Sequence, residues 1–146
     1  MDEKEFFSLL RQSNSLDLEA SGIELKKNKK LLDFSIAVTN YFHFSERREY
    51  IDLAKDFLAD QITADDFSGA FISLYEGIDQ EAAQMKKDES LELINFIKTS
   101  QSELASQSEL GDLLLQIYGT CDFFGHVIYD EKELKDCAQI LLLKLQ

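Results

Sequence analysis

Proline is absent from this 146-residue chain, and glycine occurs only six times, histidine twice and cysteine twice. Each scarcity excludes something. A chain without proline lacks the usual punctuation between strands and loops, which favours helices. With so few glycines there is no glycine-rich phosphate loop and no nucleophile elbow around a serine. The histidines are not spaced at i, i+4, and no cysteine pair stands at two-residue spacing. His43 and His126 are each read as packed or rim side chains, because a general base needs an oriented partner. Cys121 and Cys137 lie within apolar helical patterns without further ligands at metal spacing, so buried free thiols are expected, with no disulfide, metal or cofactor. Long apolar runs are missing too. The longest apolar-rich stretch, Leu31 to Phe44, is broken by Asp33, Ser35, Thr39 and Asn40, short of the ~18 residues that a membrane span needs. The opening "MDEKEFFSLL" is acidic where a signal peptide is basic. A cytoplasmic protein with no membrane association is expected.

What the chain does have is acid. The apolar content is 45% and the charged content 29%, a globular balance, and the length suits one domain with one core. Residues 1–49 hold eight Lys or Arg against nine Asp or Glu, net −1, and residues 50–146 hold seven against nineteen, net −12. The excess therefore belongs to the last two thirds. Such a field repels nucleic acid, so no direct nucleic-acid binding is expected, and it attracts basic protein surfaces. An acidic surface that serves solubility alone is the plainer explanation.

Apolar periodicity supplies the helices. Asp2 to Gln12 reads as a short one with Phe6, Leu9 and Leu10 on one side, followed by a polar connection that ends in Lys26, Lys27, Lys29 and Lys30, a turn or helix start. Residues 31–44 fit either a helix face (Leu31, Phe34, Val38, Phe42) or strand alternation (Phe34, Ile36, Val38), with helix preferred. Ser45 is expected to cap a helix running to about Asp60, with Tyr50, Leu53, Ala54, Phe57 and Leu58 inward. Its outer side carries Glu49, Asp52, Asp56 and Asp60, a like-charge stripe that costs about 0.2–0.5 kcal/mol per pair. Thr63 is expected to cap the next helix, with Asp65 and Asp66 in its first turn, where the helix dipole favours anions. Phe67, Phe71, Leu74 and Ile78 form its core stripe, and Gly77 is a candidate end. A helix follows from Leu91, capped by Asp88 or Ser90, to about Leu104. Another is expected from a Ser108 cap to a Gly125 turn. The last begins near Asp130 and carries Leu134, Cys137, Ala138, Leu141, Leu142 and Leu145. The expected architecture is all-α, an antiparallel bundle of about four core helices with an N-terminal helical extension: residues 1–45 pack on or lead into an acidic bundle formed by 46–146.

Two segments carry a resemblance. "YIDLAKDFLADQITADDF" with the following "FISLYE", and "LLLQIYGTCDFFGHVIYDEKELKDCAQILL", resemble the colicin D-type immunity proteins, bacterial self-protective inhibitors of a transfer-RNA-cleaving toxin domain. The resemblance covers residues of about 47–146, and rests on short helix patterns and one acidic corner. Residues 1–45 have no counterpart, the stretch from Gly77 to Gln107 is longer, and the turn before the last helix lacks the usual proline. The resemblance implies a helical bundle without enzymatic activity whose acidic surface stands in for RNA phosphates on a cognate nuclease domain. The oligomeric state is left open by the residues, with a monomer or a 1:1 complex favoured. By position, the partner-binding residues would be Asp112, Asp122, Asp130, Glu131 and Glu133, each pairing with Lys or Arg of the toxin. First-turn acids at the last helix also have a structural purpose, whereas Asp122, near a helix C-terminus, has less. The rival readings are an acidic helical adaptor for another basic protein and, more remotely, a small hydrolase built on His126.

Overall fold

The computed structural model describes residues 2–15, 25–104, 107–123 and 130–146. Among them are seven helices and no strand: α1 Glu3–Ser15, α2 Leu25–Ser45, α3 Arg47–Leu58, α4 Ala64–Lys87, α5 Leu91–Leu104, α6 Ser108–Asp122 and α7 Glu131–Leu145. The ambiguous segment 31–44 is helical, as the i, i+4 spacing of its apolar residues favours. Its basic run lies in the first turns of α2.

Four helices, α3, α4, α6 and α7, build the larger core. Tyr50, Ala54 and Phe57 of α3 meet Phe67 and Phe71 of α4, Leu114 and Ile117 of α6, and Leu134, Ala138 and Leu141 of α7. The aromatic rings run through it as a chain: Phe57 stacks on Phe67 with centroids 4.5 Å apart, and Phe71 lies 5.2 Å from Tyr50. A smaller core joins α1, α2 and α5 through Phe6, Phe7, Val38, Leu93 and Ile97. Phe42 packs against both. Helix α2 therefore lies against α1 and α5 on one side and against α4 and α6 on the other.

Local chemistry explains where several helices begin. Thr63 and Asp66 form a reciprocal capping box, Asp66 N–H donating to Thr63 Oγ1 at 3.1 Å and Thr63 N–H to Asp66 Oδ2 at 3.2 Å. Asp130 Oδ1 accepts from Glu133 N–H at 3.0 Å, and thus caps α7. Three expected boundaries are corrected. Ser45 closes α2 instead of capping α3: its hydroxyl donates back to Phe42 O, and the cap position belongs to Glu46, whose side chain makes no capping bond. Ser108 is the first residue of α6, behind Gln107. Gly77 does not end α4, which runs ten residues further to Lys87. Gly125 and the turn expected there lie outside the described residues.

The corners that do stop α3 and α4 use no glycine. Asp60 and Glu89 both take left-handed backbone, at φ 58° and 49°. In each case this residue's amide and the next turn back into the helix: Asp60 N–H to Phe57 O and Gln61 N–H to Asp56 O, then Glu89 N–H to Lys86 O and Ser90 N–H to Met85 O. This is the Schellman arrangement with an acidic residue where glycine is usual, at a cost of about 1 kcal/mol or more each. A basic side chain from a distant helix holds each strained residue. Lys135 of α7 donates to Asp60 Oδ1 at 2.7 Å and to Phe57 O, and Arg11 of α1 grips both carboxylate oxygens of Glu89.

Both cysteines are free; Cys121 is buried and Cys137 partly so. Burial pushes the Cys121 thiol up to about 12, leaving it protonated and unreactive. No described helix is long and apolar enough to cross a membrane.

Candidate functional site

The acidic residues divide between two surfaces with different surroundings. The first is the end of the bundle where the α3–α4 corner meets the start of α7. Asp60, Asp65, Asp66 and Glu131 line one shallow cleft there, with Ile62 and Thr63 between them. All four carboxylates are exposed. Glu131 is thereby brought together with acids of the corner, from which the sequence separates it by sixty-five positions or more. Asp130 is spent on capping α7, and Glu133 is exposed in the same first turn. Asp122 closes α6, which packs on α7, and its charge helps raise the neighbouring Tyr118 hydroxyl to about 12, behind the larger effect of a hydrogen bond to Glu76 at 2.5 Å. Asp112 does not belong to this face. It lies ten residues, about 15 Å of helix, before Asp122 on α6, and lines a different cleft.

That second cleft opens between α2, α4 and α6, with a volume of about 900 Å³. Ser35, Ile36 and Thr39 form one wall and Tyr75, Asp79 and Lys86 the floor; Asp112 and Leu115 form the opposite wall. Gly111 lets that wall approach α2, because a Cβ there would stand 2.4 Å from Asn40 Oδ1. The spacing of Tyr75, Asp79 and Lys86 at four and seven places them on one face of α4.

Beneath the cleft, His43 is 2% exposed and has both ring nitrogens engaged, Nδ1 with Tyr50 Oη and Nε2 with Asp79 Oδ1, each at 2.7 Å. An ionised carboxylate only accepts, so Nε2 carries the proton and donates to Asp79, and Tyr50 donates to Nδ1. The imidazole stacks on Tyr75 with centroids 4.7 Å apart. Burial lowers its pKa below the ordinary histidine value, outweighing the opposite pull of Asp79. His43 is therefore neutral at physiological pH, and its bond to Asp79 is a hydrogen bond between a neutral donor and a charged acceptor. Burial likewise raises Tyr50. The chain Tyr50–His43–Asp79 leaves no histidine nitrogen open to a substrate proton; what it does is hold Asp79 in one orientation at the cleft floor.

Lys86 is the second fixed charge. Its ammonium donates to Ser35 O, Ser35 Oγ and Thr39 Oγ1 at 3.0, 2.8 and 2.7 Å, so its three hydrogens are matched by three acceptors on α2. Burial brings its pKa down to about 8, against the pull of nearby Asp79. The packed reading of His43 agrees with this geometry. The importance of Asp79, Lys86 and the α2 hydroxyls has no counterpart in the sequence reading, since polar residues spread over separate helices leave no local motif. His126 lies outside the described residues. Among those described, no three His, Cys, Asp or Glu side chains are grouped to hold a metal.

Comparison with known proteins adds no relative: no family model, no curated protein and no solved structure matches the chain.

Proposed function

We propose that the protein is a binding protein for a basic protein surface, and that its partner is the nuclease domain of a toxin whose substrate-binding cleft it covers. The observation that supports this reading most is the convergence of Asp60, Asp65, Asp66 and Glu131 on one exposed end of a bundle whose residues 50–146 carry a net charge of −12. Asp122, the last residue of α6, and Glu133, in the first turn of α7, are exposed as well. Carboxylates so placed offer paired acceptors to the Lys and Arg side chains with which a nuclease holds phosphates. Their summed field would speed association at low ionic strength. The resemblance of residues 47–146 to colicin D-type immunity proteins points to the same partner class. Asp130 and Asp66 each use one carboxylate oxygen at a helix start, Oδ1 and Oδ2 respectively, which leaves the other for a partner.

The test is co-expression with a nuclease-toxin domain encoded beside the gene, followed by co-purification and growth. The reading expects rescue by the native protein, loss of rescue with Asp122→Lys and Glu131→Lys combined, and an association rate that falls about tenfold or more between 50 and 500 mM salt. Retained rescue by that double variant would sink the end-face assignment. Co-purification with a basic protein that is not a nuclease would favour the adaptor reading.

A further inference from the structure

The cleft between α2, α4 and α6 carries an arrangement that the end face does not use. Asp79 and Asp112 approach it from different helices, and among the described residues neither makes an ion pair with a lysine or arginine; the partner of Asp79 is the neutral His43. Lys86, the partly buried cation of the floor, has all three hydrogens committed to Ser35 and Thr39. Lys87 stands exposed at the rim, in the last turn of α4. Beside the carboxylates, two large apolar side chains on opposite walls remain in water, Ile36 at 48% and Leu115 at 57% exposure. One turn before Ile36 on α2, Leu32 is exposed as well, at 59%. Exposed apolar side chains beside two carboxylates that lack a lysine or arginine partner fit a ligand with an aliphatic stem and a cationic head, and the volume admits one.

We propose that this cleft takes an arginine side chain of the basic partner, its methylenes lying between Ile36 and Leu115 and its guanidinium meeting Asp79 and Asp112. The assignment rests on the reading of the protein as a binder of basic surfaces, and gives that partner an anchoring point outside the acidic end. A guanidinium can bond one carboxylate through each edge of its planar fork, which suits two acids on separate helices. His43 acts as a positioning residue for Asp79: the Nε2–H bond keeps that carboxylate oriented when the cleft is empty, so little ordering remains to be done when the cation arrives. Exposed Leu32 extends the apolar rim beyond the cleft, as contact with a protein surface requires.

Two probes test this on the full chain, followed by amide NMR. Butylguanidinium and its neutral isostere butylurea share a stem and differ in charge. A pentapeptide with a central arginine, against the same peptide with citrulline, presents that head from a backbone. The expected result is saturable shifts at residues 36, 79, 112 and 115, with each cation at least fivefold tighter than its neutral analogue. The double variant Asp79→Asn, Asp112→Asn should reduce the cations to the neutral level. The carboxamide introduced at position 79 can still accept from His43, so the fold should persist, as the dispersion of the same spectra reports. Equal titration by butylurea, or shifts confined to Asp60 and Glu131, would overturn the proposal. Binding of butylguanidinium but not of the arginine peptide would make the cleft a small-molecule site and overturn the assigned occupant. Rescue and co-purification read the end face separately, so either assignment can fail without the other.

Discussion

The larger and the smaller core are built from the same residue types but are secured differently. Around α3, α4, α6 and α7, stacked rings and leucines from four helices enclose one another, and loss of any one helix would expose all the rest. Around α1, α2 and α5, Phe6 and Phe7 hang a thirteen-residue helix on two neighbours, assisted by the ion pairs Arg11–Glu89 and Glu3–Lys98 at the surface. Exposed pairs of this kind contribute little, about 0–1 kcal/mol. The difference teaches where the molecule is cooperative and where it can open. It also locates the α2/α4/α6 cleft: it lies along the helix that serves both cores, beside the buried Tyr50–His43–Asp79 chain.

The largest effect that would break this contrast comes from truncating one ring in each core. Phe67→Ala should cost about 3–5 kcal/mol in urea denaturation, because Phe57 and Phe71 both lose a packed partner. Phe6→Ala should instead release α1 alone, seen as faster amide exchange in α1 and part of α5 with the denaturation midpoint of the larger core nearly unchanged. Equal global losses would show the two cores to be one cooperative unit.

Next in size is the seam. Tyr50→Phe removes the donor to His43 Nδ1 and leaves that nitrogen buried, at a cost of about 1–3 kcal/mol in thermal or urea unfolding. Acid sharpens the same point. Burial keeps His43 neutral in the folded protein below its ordinary pKa of about 6.5, so the unfolded chain takes up that proton first. Stability should therefore fall as the pH drops below about 6.5, at up to about 1.4 kcal/mol per pH unit. His43→Gln should flatten the slope between pH 7 and 5.5 while lowering stability at pH 7. A slope unchanged by this substitution would remove His43 from the account.

The smallest effect is a gain. Gly77 lies inside α4 with open space where a Cβ would stand, so Gly77→Ala should stabilise the larger core by about 0.5–1 kcal/mol, measured as a higher denaturation midpoint.

These outcomes trace how much of the molecule is legible in its residues. Short-range signals are reliable where one residue acts on its own helix. The Tyr50, Ala54, Phe57 stripe and the capping Thr63 stand where spacing and cap chemistry place them, and the last helix begins beside Asp130 as its acids suggest. Such signals fail where another helix supplies the deciding group, or where a side chain has a second local bond open to it. Gly77 reads as a stop because glycine commonly ends helices, yet the actual stops are Asp60 and Glu89, residues that tolerate left-handed backbone here with Lys135 and Arg11 holding them from seventy-five and seventy-eight positions away. Ser45 reads as a cap, but its hydroxyl turns back to the helix it closes. Of the five acids expected to bind a partner, Asp122, Asp130, Glu131 and Glu133 belong to the ends of α6 and α7, while Asp112 lies apart along α6.

By itself the sequence determined the helical class, the inward faces of α3, α4, α6 and α7 and the uneven distribution of negative charge, because each follows from periodicity or composition along a continuous segment. Tertiary structure alone decided which acids became neighbours and which became fixed. Asp60, Asp65 and Asp66 meet Glu131 because α7 packs on α3. Asp79 acquires an orientation because α2 delivers His43 beneath it, and the partly buried Lys86 ammonium is fixed in place because α2 also delivers three oxygen acceptors. The bonds of His43 to Asp79 and of Lys86 to α2 join residues thirty-six to fifty-one positions apart, Glu131 lies sixty-five or more from the other acids of the end face, and no local pattern encodes these contacts.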